Sequence, residues 1–303
     1  MSSLNSVAVD ITIAWDLILN LNEILDYLPT LDKIELSQLS KLFRLKLKPK
    51  LFRIVKFGQK PSDLTTIDKI CINEGISKDS INEHFIDKLP DISSHILELS
   101  LYRFFNVYKF FEISLTFANL QQIRMFKICL PLQIFRKSLQ NLKKLRLLSL
   151  DQITLVQFTN DDIIGPLLNF PGEFNSLSLS DCYLIKSKLV EDPLKASYNY
   201  GRQVISKDYL HLMDHQFPSL KSYTILGYKH SIAPMLSNFL AKHPHINKLK
   251  ISSNLLSQQI LTLISTHRSL YDLTFEDFGI DLNLEIPQFS NIKKFNYITY
   301  QSV

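Results

Sequence analysis

The chain has 303 residues, of which 46% are hydrophobic and 21% charged, and its net charge is +5. That balance is globular, which excludes a disordered chain, and the mild positive charge permits acidic partners without demanding nucleic acid. Glycine is scarce at 7 residues, which argues against glycine-dependent phosphate loops and tight-hairpin β architecture; three widely spaced cysteines (Cys71, Cys129, Cys182) form no disulfide framework and suit a reducing compartment.

Residues 1–14 read as a loose lead-in. They lack the basic start of a secretory signal, and Asp10 and Asp16 interrupt the apolar run. No stretch of about 18 uncharged apolar residues exists, so a soluble chain of the cytoplasm and/or nucleus, with no membrane contact, is expected. Trp15, Leu17, Ile18 and Leu19 form a short apolar patch suited to packing.

Residues 15–57 read as a small helical domain of three short helices. The first covers about Glu23 to Leu28 and stops at Pro29, which has no backbone N–H to continue it. The second opens at Asp32, whose carboxylate suits free amides at a helix start, with Glu35 three residues on. Its apolar positions Leu36, Leu39 and Phe43 fall three and four apart. A third helix is expected to begin near Pro49, a residue suited to a first helical position, and to carry Leu51, Phe52 and Val55.

These residues resemble an F-box. The resemblance rests on Leu21, Asn22, Glu23, Ile24, Leu25, Tyr27, Leu28, Asp32, Leu36, Leu39, Phe43, Arg44, Pro49, Leu51 and Phe52, about 35 residues of the chain. Asn22 replaces the family's early Pro, Phe52 stands where Trp is commoner, and Ser40 where Cys is frequent. The same helices also read as an ordinary cap on a larger domain.

Residues 58–303 carry a repeat. Ile246, Leu249, Ile251, Asn254 and Leu256 fit Leu-x-x-Leu-x-Leu-x-x-Asn-x-Leu; Leu145, Leu148, Leu150, Ile153, Leu155 and Phe174, Leu177, Leu179, Cys182, Leu184 fit it with Ile or Cys for Asn. Looser copies centre on Ile67-Ile70-Ile72, Ile96-Leu99-Leu101, Leu120-Ile123-Met125, Leu220-Tyr223-Ile225, Leu270-Leu273-Phe275 and Ile292-Phe295-Tyr297. The last residues of the Leu-x-Leu steps are separated by 29, 24, 25, 29, 46, 26, 24 and 22 residues. The long gap holds the polar stretch Glu191 to Gln203, read as an insertion at about 185–205 or a degenerate repeat. Amphipathic helices are expected over Ser80–Leu89, Tyr209–His215 and Ala233–Lys242, each ending before a proline (Pro90, Pro218, Pro244) that turns the chain from helix to strand.

This pattern resembles the leucine-rich repeat superfamily, of the ribonuclease-inhibitor-like kind. The expected fold class is therefore α/β: a short all-α three-helix F-box followed by a right-handed α/β repeat solenoid, a horseshoe whose short parallel strands turn Leu-x-Leu inward. One unit cannot bury its apolar face alone, so neighbours must stack.

Chemistry is sparse. His211 and His215 sit four apart in a stretch expected to be helical, a zinc-compatible spacing, but no Glu follows His211 and no third ligand is evident; packing or surface histidines are the better reading, as for His243 and His245. No G-x-S-x-G, G-x-x-x-x-G-K or paired C-x-x-C occurs, and the Asp161-Asp162 pair reads as the start of a helix. Catalysis, metal and cofactors are not expected. Lys41 to Lys60 contains eight basic residues and no acidic one, read as a solvated face or a match for an acidic protein partner in preference to nucleic acid.

The family resemblance implies an adaptor of a Skp–cullin–F-box ubiquitin ligase, the F-box docking the Skp-type adaptor and the repeats holding a protein substrate. It implies that Leu21, Ile24, Leu25, Leu28, Pro29, Leu36, Leu39, Leu51 and Phe52 supply the F-box core and adaptor contact. The residues alternating with the inward leucines mark the expected substrate surface on the concave face: Ser149, Asp151, Ser178, Ser180, Lys248, Lys250, Thr274 and Glu276. The rival expectation is a repeat scaffold whose helical start is only a cap, with no ubiquitin link.

Overall fold

A Leu-x-Leu step puts both leucines on one face of an extended strand and the intervening residue on the other. In the computed structural model, which describes residues 22–57, 92–103, 105–158, 168–188, 204–276 and 284–299, each repeat anchored on such a step places it in a strand wherever its residues are described. The chain divides into two compact units, residues 1–53 and 54–303.

In the first unit, α1 spans Asn22–Tyr27, α2 Thr30–Leu39 and α3 Lys41–Leu51. Ser40 breaks the chain between α2 and α3: its backbone is extended, and its hydroxyl accepts the Phe43 N–H at 3.2 Å as the cap of α3. Two expectations are corrected here. Phe43 belongs to α3, not to a longer second helix. Pro49 lies in the last turn of α3, not at the start of a third helix, and Val55 is in a strand. The capping role expected of Asp32 and Glu35 is also corrected, because Pro29 stands at the cap of α2 without a side-chain hydrogen bond and Asp32 lies inside the first turn. Leu25 and Leu47 are buried together, with Leu28, Leu36, Phe43 and Leu51 packed partly against them.

The second unit is built on a nine-stranded sheet. Its strands are β1 (Ile54–Phe57), β2 (Glu98–Tyr102), β3 (Gln122–Phe126), β5 (Leu147–Asp151), β7 (Ser176–Ser180), β10 (Ser222–Leu226), β11 (Lys248–Ser252), β12 (Asp272–Glu276) and β13 (Lys294–Ile298), hydrogen-bonded in that order and everywhere parallel. Three more strands, β4 (Cys129–Pro131), β6 (Thr154–Phe158) and β8 (Tyr183–Ser187), pair in parallel in a second sheet, which β9 (Val204–Tyr209) joins antiparallel to β8. Helices α4 (Lys109–Thr116), α5 (Leu132–Asn141), α6 (Ala233–Lys242) and α7 (Gln258–Thr266) lie between strands in the sequence. The result is an α/β architecture with one large parallel sheet and interspersed helices, of a solenoid type.

The register repeats without slippage. Leu99, Ile123, Leu148, Leu177, Tyr223, Leu249 and Leu273 form one row, and Leu101, Met125, Leu150, Leu179, Ile225, Ile251 and Phe275 the next; all are buried. Each such side chain contributes about 1.5–3 kcal/mol before conformational entropy is subtracted. At the strand entries from β2 to β12 one carbonyl accepts two N–H groups from the next repeat. Gln121 receives Arg146 and Leu147, Arg146 receives Asn175 and Ser176, and Lys221 receives Asn247 and Lys248.

A second column follows the strands. Lys127, Gln152, Asp181 and Gly227 all adopt positive φ, between 48° and 73°. The first three donate their N–H to the carbonyl ending the next strand, at Asp151, Ser180 and Leu226; Gly227 donates to the Ser252 hydroxyl. After Lys127, Gln152 and Asp181 the chain passes from the main sheet into the second one. Next comes the position where the pattern expects Asn. Ile128, Ile153, Cys182 and Tyr228 are buried there, and Asn254 donates its amide to the Tyr228 carbonyl at 2.9 Å, bridging two turns as expected of that position.

The 46-residue gap is an insertion within one repeat, because β7 pairs directly with β10 and no repeat strand lies between. Its ends are regular, forming the β8–β9 pair with an irregularity at Lys186/Ser187. Tyr209 ends a strand, and the following residues through His215 are not helical, so the helix expected over Tyr209–His215 is corrected; the pairing of β9 with β8 keeps the chain extended through Tyr209 and overrides the helical spacing. The helix over Ala233–Lys242 is found as expected. The expected elements at Ile67–Ile72, Ser80–Leu89 and Asp161-Asp162 lie outside the described residues.

Candidate functional site

Two surfaces were expected to act. In the helical unit, burial divides the F-box residues. Leu25 is 3% exposed and belongs to the core, while Leu28, Leu36 and Leu51 are half-buried against it and Phe52 is half-buried beyond α3. Pro29 is exposed and Leu39 is 71% exposed. Leu21 and the side chain of Ile24 lie outside the described residues. Sequence reasoning missed Tyr27, Leu31, Leu42 and Leu45 as surface residues, although all are exposed. Their signal was present: each falls on the side of its helix away from Leu25 and Leu47, once the break at Ser40 is known. Lys50 reaches from α3 to Asp26 on α1, and this hydrogen-bonded lysine holds the Asp26 carboxyl below its ordinary value.

On the sheet, the face opposite the leucine rows carries the expected polar residues. Register aligns Ser149, Ser178, Lys250 and Thr274 in one row, together with Ser100, Arg124, Thr224 and Asn296, which the looser repeats had concealed. Lys248 lies in a neighbouring row beside Asp272, with Lys294 beyond. Asp151 and Ser180 are register partners in a third row, at the strand ends. Glu276 also ends its strand, but it is 4% exposed and ion-paired with Lys250, so it is enclosed instead of presented. Thr274 accepts a hydrogen bond from the Asn296 amide at 3.2 Å.

Asp151 and Asp181 stand near one another at the turn out of the main sheet. Burial raises the carboxyl pKa of each; a hydrogen bond from Ser180 and the charge of Lys127 oppose this at Asp151, whereas the Asp151 charge reinforces it at Asp181. The Asp181 carboxylate occupies the space above Gly227 that a Cβ there would fill. Cys182 beside it is buried, and its thiol is pushed up to about 12, so it is a packing residue and not a nucleophile.

His215, His243 and His267 each meet a backbone group. His243 accepts the Phe217 N–H at Nε2 (3.1 Å), which leaves Nδ1–H to donate to the Phe239 carbonyl (2.8 Å). His267 Nε2 lies 3.2 Å from the His243 carbonyl, and His215 Nε2 lies 3.1 Å from that of Leu168. Burial lowers the pKa of all three. His211 and His215 border a cavity of about 780 Å³ whose aromatic wall is Phe170, Phe174 and Phe217. Among the described residues no three His, Cys, Asp or Glu side chains are grouped to hold a metal ion, and no helix is long and apolar enough to cross a membrane.

The class these observations define is an α/β repeat protein preceded by a small helical unit with exposed apolar side chains. Comparison with protein-family models and with curated proteins gives no match to this chain.

Proposed function

We propose that the chain is a substrate-recognition adaptor of a Skp–cullin–F-box ubiquitin ligase, with residues 15–57 as a divergent F-box and the parallel-sheet unit as a leucine-rich repeat solenoid. In this reading the helices dock a Skp-type adaptor, and the polar face of the sheet holds a protein to be ubiquitinated. No bond is made or broken by the chain itself.

The observation that carries the reading is the exposure of Leu31 (65%), Leu39 (71%) and Leu45 (60%) on three short helices. Several exposed leucines on three short helices offer an apolar surface of the kind that meets a partner. The polar row of Ser149, Ser178, Thr224, Lys250 and Thr274 supports the second half of the reading, because it offers a row of hydrogen-bonding side chains along consecutive strands.

The test is a binding assay between the purified chain and a Skp-type adaptor, comparing wild type with Leu39→Asp and Leu45→Asp. These sites are exposed, so circular dichroism of the variants should match wild type, whereas Leu25→Asp would disrupt the core. Binding by wild type that the folded variants lose supports the adaptor. Absence of wild-type binding at micromolar concentration rejects it and leaves a repeat scaffold.

A further inference from the structure

Helix α3 turns two different faces outward and inward. Leu47 points into the core, with Phe43 and Leu51 beside it. At 100° per residue, the opposite side brings Lys41, Leu45 and Lys48 into line, with Leu42 and Pro49 on one flank and Arg44 on the other. Leu42 and Leu45 are 45% and 60% exposed, and Lys41, Arg44 and Pro49 are exposed as well. Arg44 is steadied at the corner with α2, its Nε 3.4 Å from the Ser37 carbonyl. The helix contains five basic residues and no acidic one. Two of them, Lys48 and Lys50, lie in the last turn, where cations complement the helix dipole. Lys41 and Arg44 lie in the first turn, where cations oppose that dipole, so helix stability does not explain their placement.

We propose that this face of α3 is the charged half of the adaptor contact: it seats against a protein surface that has an apolar groove edged by carboxylates. The inference rests on the adaptor reading above. Leu42 and Leu45 fill the groove, and Lys41, Arg44 and Lys48 meet the acidic edge. Charge complementarity identifies the occupant, and α2 narrows it to protein. Asp32 and Glu35 are exposed on α2 beside the exposed Leu31 and Leu39. A uniformly anionic lipid surface or nucleic acid would repel those carboxylates, whereas a protein surface can present a basic or neutral patch to them.

The experiment measures affinity and association rate of the full chain for a Skp-type adaptor at about 50 and about 300 mM salt, where screening lengths differ severalfold. Lys41→Glu/Lys48→Glu is compared with wild type, Lys41→Gln/Lys48→Gln and Leu45→Asp, each checked by circular dichroism. Rim charges act mainly on encounter, so the double reversal should weaken binding about 10-fold at low salt, chiefly by slower association, and the neutral pair should fall between. The difference should shrink at high salt. Vesicles containing phosphatidylserine serve as the comparison surface. If wild type binds the adaptor and Leu45→Asp abolishes it, but the double reversal binds as tightly as wild type at both salts, this inference falls and the adaptor reading stands. If the charge variants lose vesicle binding and keep adaptor binding, the face belongs to a membrane and the inference falls. If wild type binds no adaptor, both fall together.

Discussion

The helical unit and the sheet unit put their leucines to opposite ends. In the sheet unit, two rows of side chains run through consecutive repeats and are almost wholly enclosed. In the helical unit only Leu25 and Leu47 are fully buried among the described residues, and α2 buries none of its side chains. A repeat closes its core by stacking on its neighbour, so each added unit completes the one before. Three short helices cannot do this, and Leu31, Leu39, Leu42 and Leu45 face water. One region is stabilised by its own repetition, and the other has a small core with exposed leucines around it.

The sharpest way to break this contrast is to truncate one leucine in each region. Leu150→Ala in the centre of β5 should cost about 3 kcal/mol, read from chemical denaturation. Leu45→Ala in α3 should change stability by less than about 0.5 kcal/mol, since its side chain is already in water. Equal losses at both sites would show that the helical unit has a hidden core.

Next in size is the left-handed column. Gly227→Ala should cost about 2 kcal/mol or more, because φ is +73° and the new Cβ would collide with the Asp181 carboxylate. Gln152→Gly, at φ +54°, should gain up to about 1 kcal/mol, reduced by the greater freedom of unfolded glycine. Thermal denaturation of both variants reads the comparison directly. A Gly227→Ala protein as stable as wild type would remove the column from the account of the fold.

The sheet was legible in the sequence because alternation and period are both one-dimensional signals. The strands at Leu148-Leu150 and Leu177-Leu179 follow from spacing alone, and so does the turn from α6 to strand at Pro244. The helical unit was less legible because its helices are short and its apolar residues are too frequent to select one face. Phe43 fits the periodicity of Leu36 and Leu39, and only the capping geometry of Ser40 assigns it to α3. The stretch around His211 failed for a related reason: its spacing suits a helix, but β9 runs into it from pairing with β8, a tertiary contact no local pattern reports. The polar row was half visible; Arg124 and Thr224 sit in Met- and Tyr-containing repeats and emerged only with the register.

Titration separates the histidine contacts from the carboxylate turn within the sheet unit. His215, His243 and His267 have lowered pKa values in the folded state through burial, so the unfolded chain binds protons more readily. Their contribution is present above about 6.5 and is lost as pH falls through the lowered folded values. Asp151 and Asp181 are raised by burial, so the folded chain holds those protons to higher pH and loses stability as pH rises above the unfolded value of about 3.8. Asp181→Asn should therefore stabilise the protein near neutral pH, with the gain vanishing below about pH 3.8, while His243→Gln should flatten the acid side below about pH 6.5. Melting temperatures of both variants from pH 3.5 to 7.5 check these signs, and a steeper acid limb for His243→Gln would overturn the histidine assignment.

The smallest effects belong to the surface ion pairs, and they too should differ between the regions. Arg146 holds Glu173 through Nε at 3.1 Å and Nη2 at 2.7 Å, with both side chains largely in water. Glu173→Gln should change stability by less than about 0.5 kcal/mol and have no effect at high salt, because the sheet beneath is already fixed by its rows. The Lys50–Asp26 pair ties α1 to α3 in a unit with few buried contacts. Its stabilisation is present above the unfolded carboxyl value and is lost as pH falls through the lowered Asp26 value. Asp26→Asn should therefore speed amide hydrogen exchange in α1 at low salt without altering exchange in β5 or β7, since local opening is governed by local contacts. Unchanged exchange in α1 would mean that Leu25 and Leu47 alone hold the helical unit, and that the contrast between the two regions is smaller than their burial indicates.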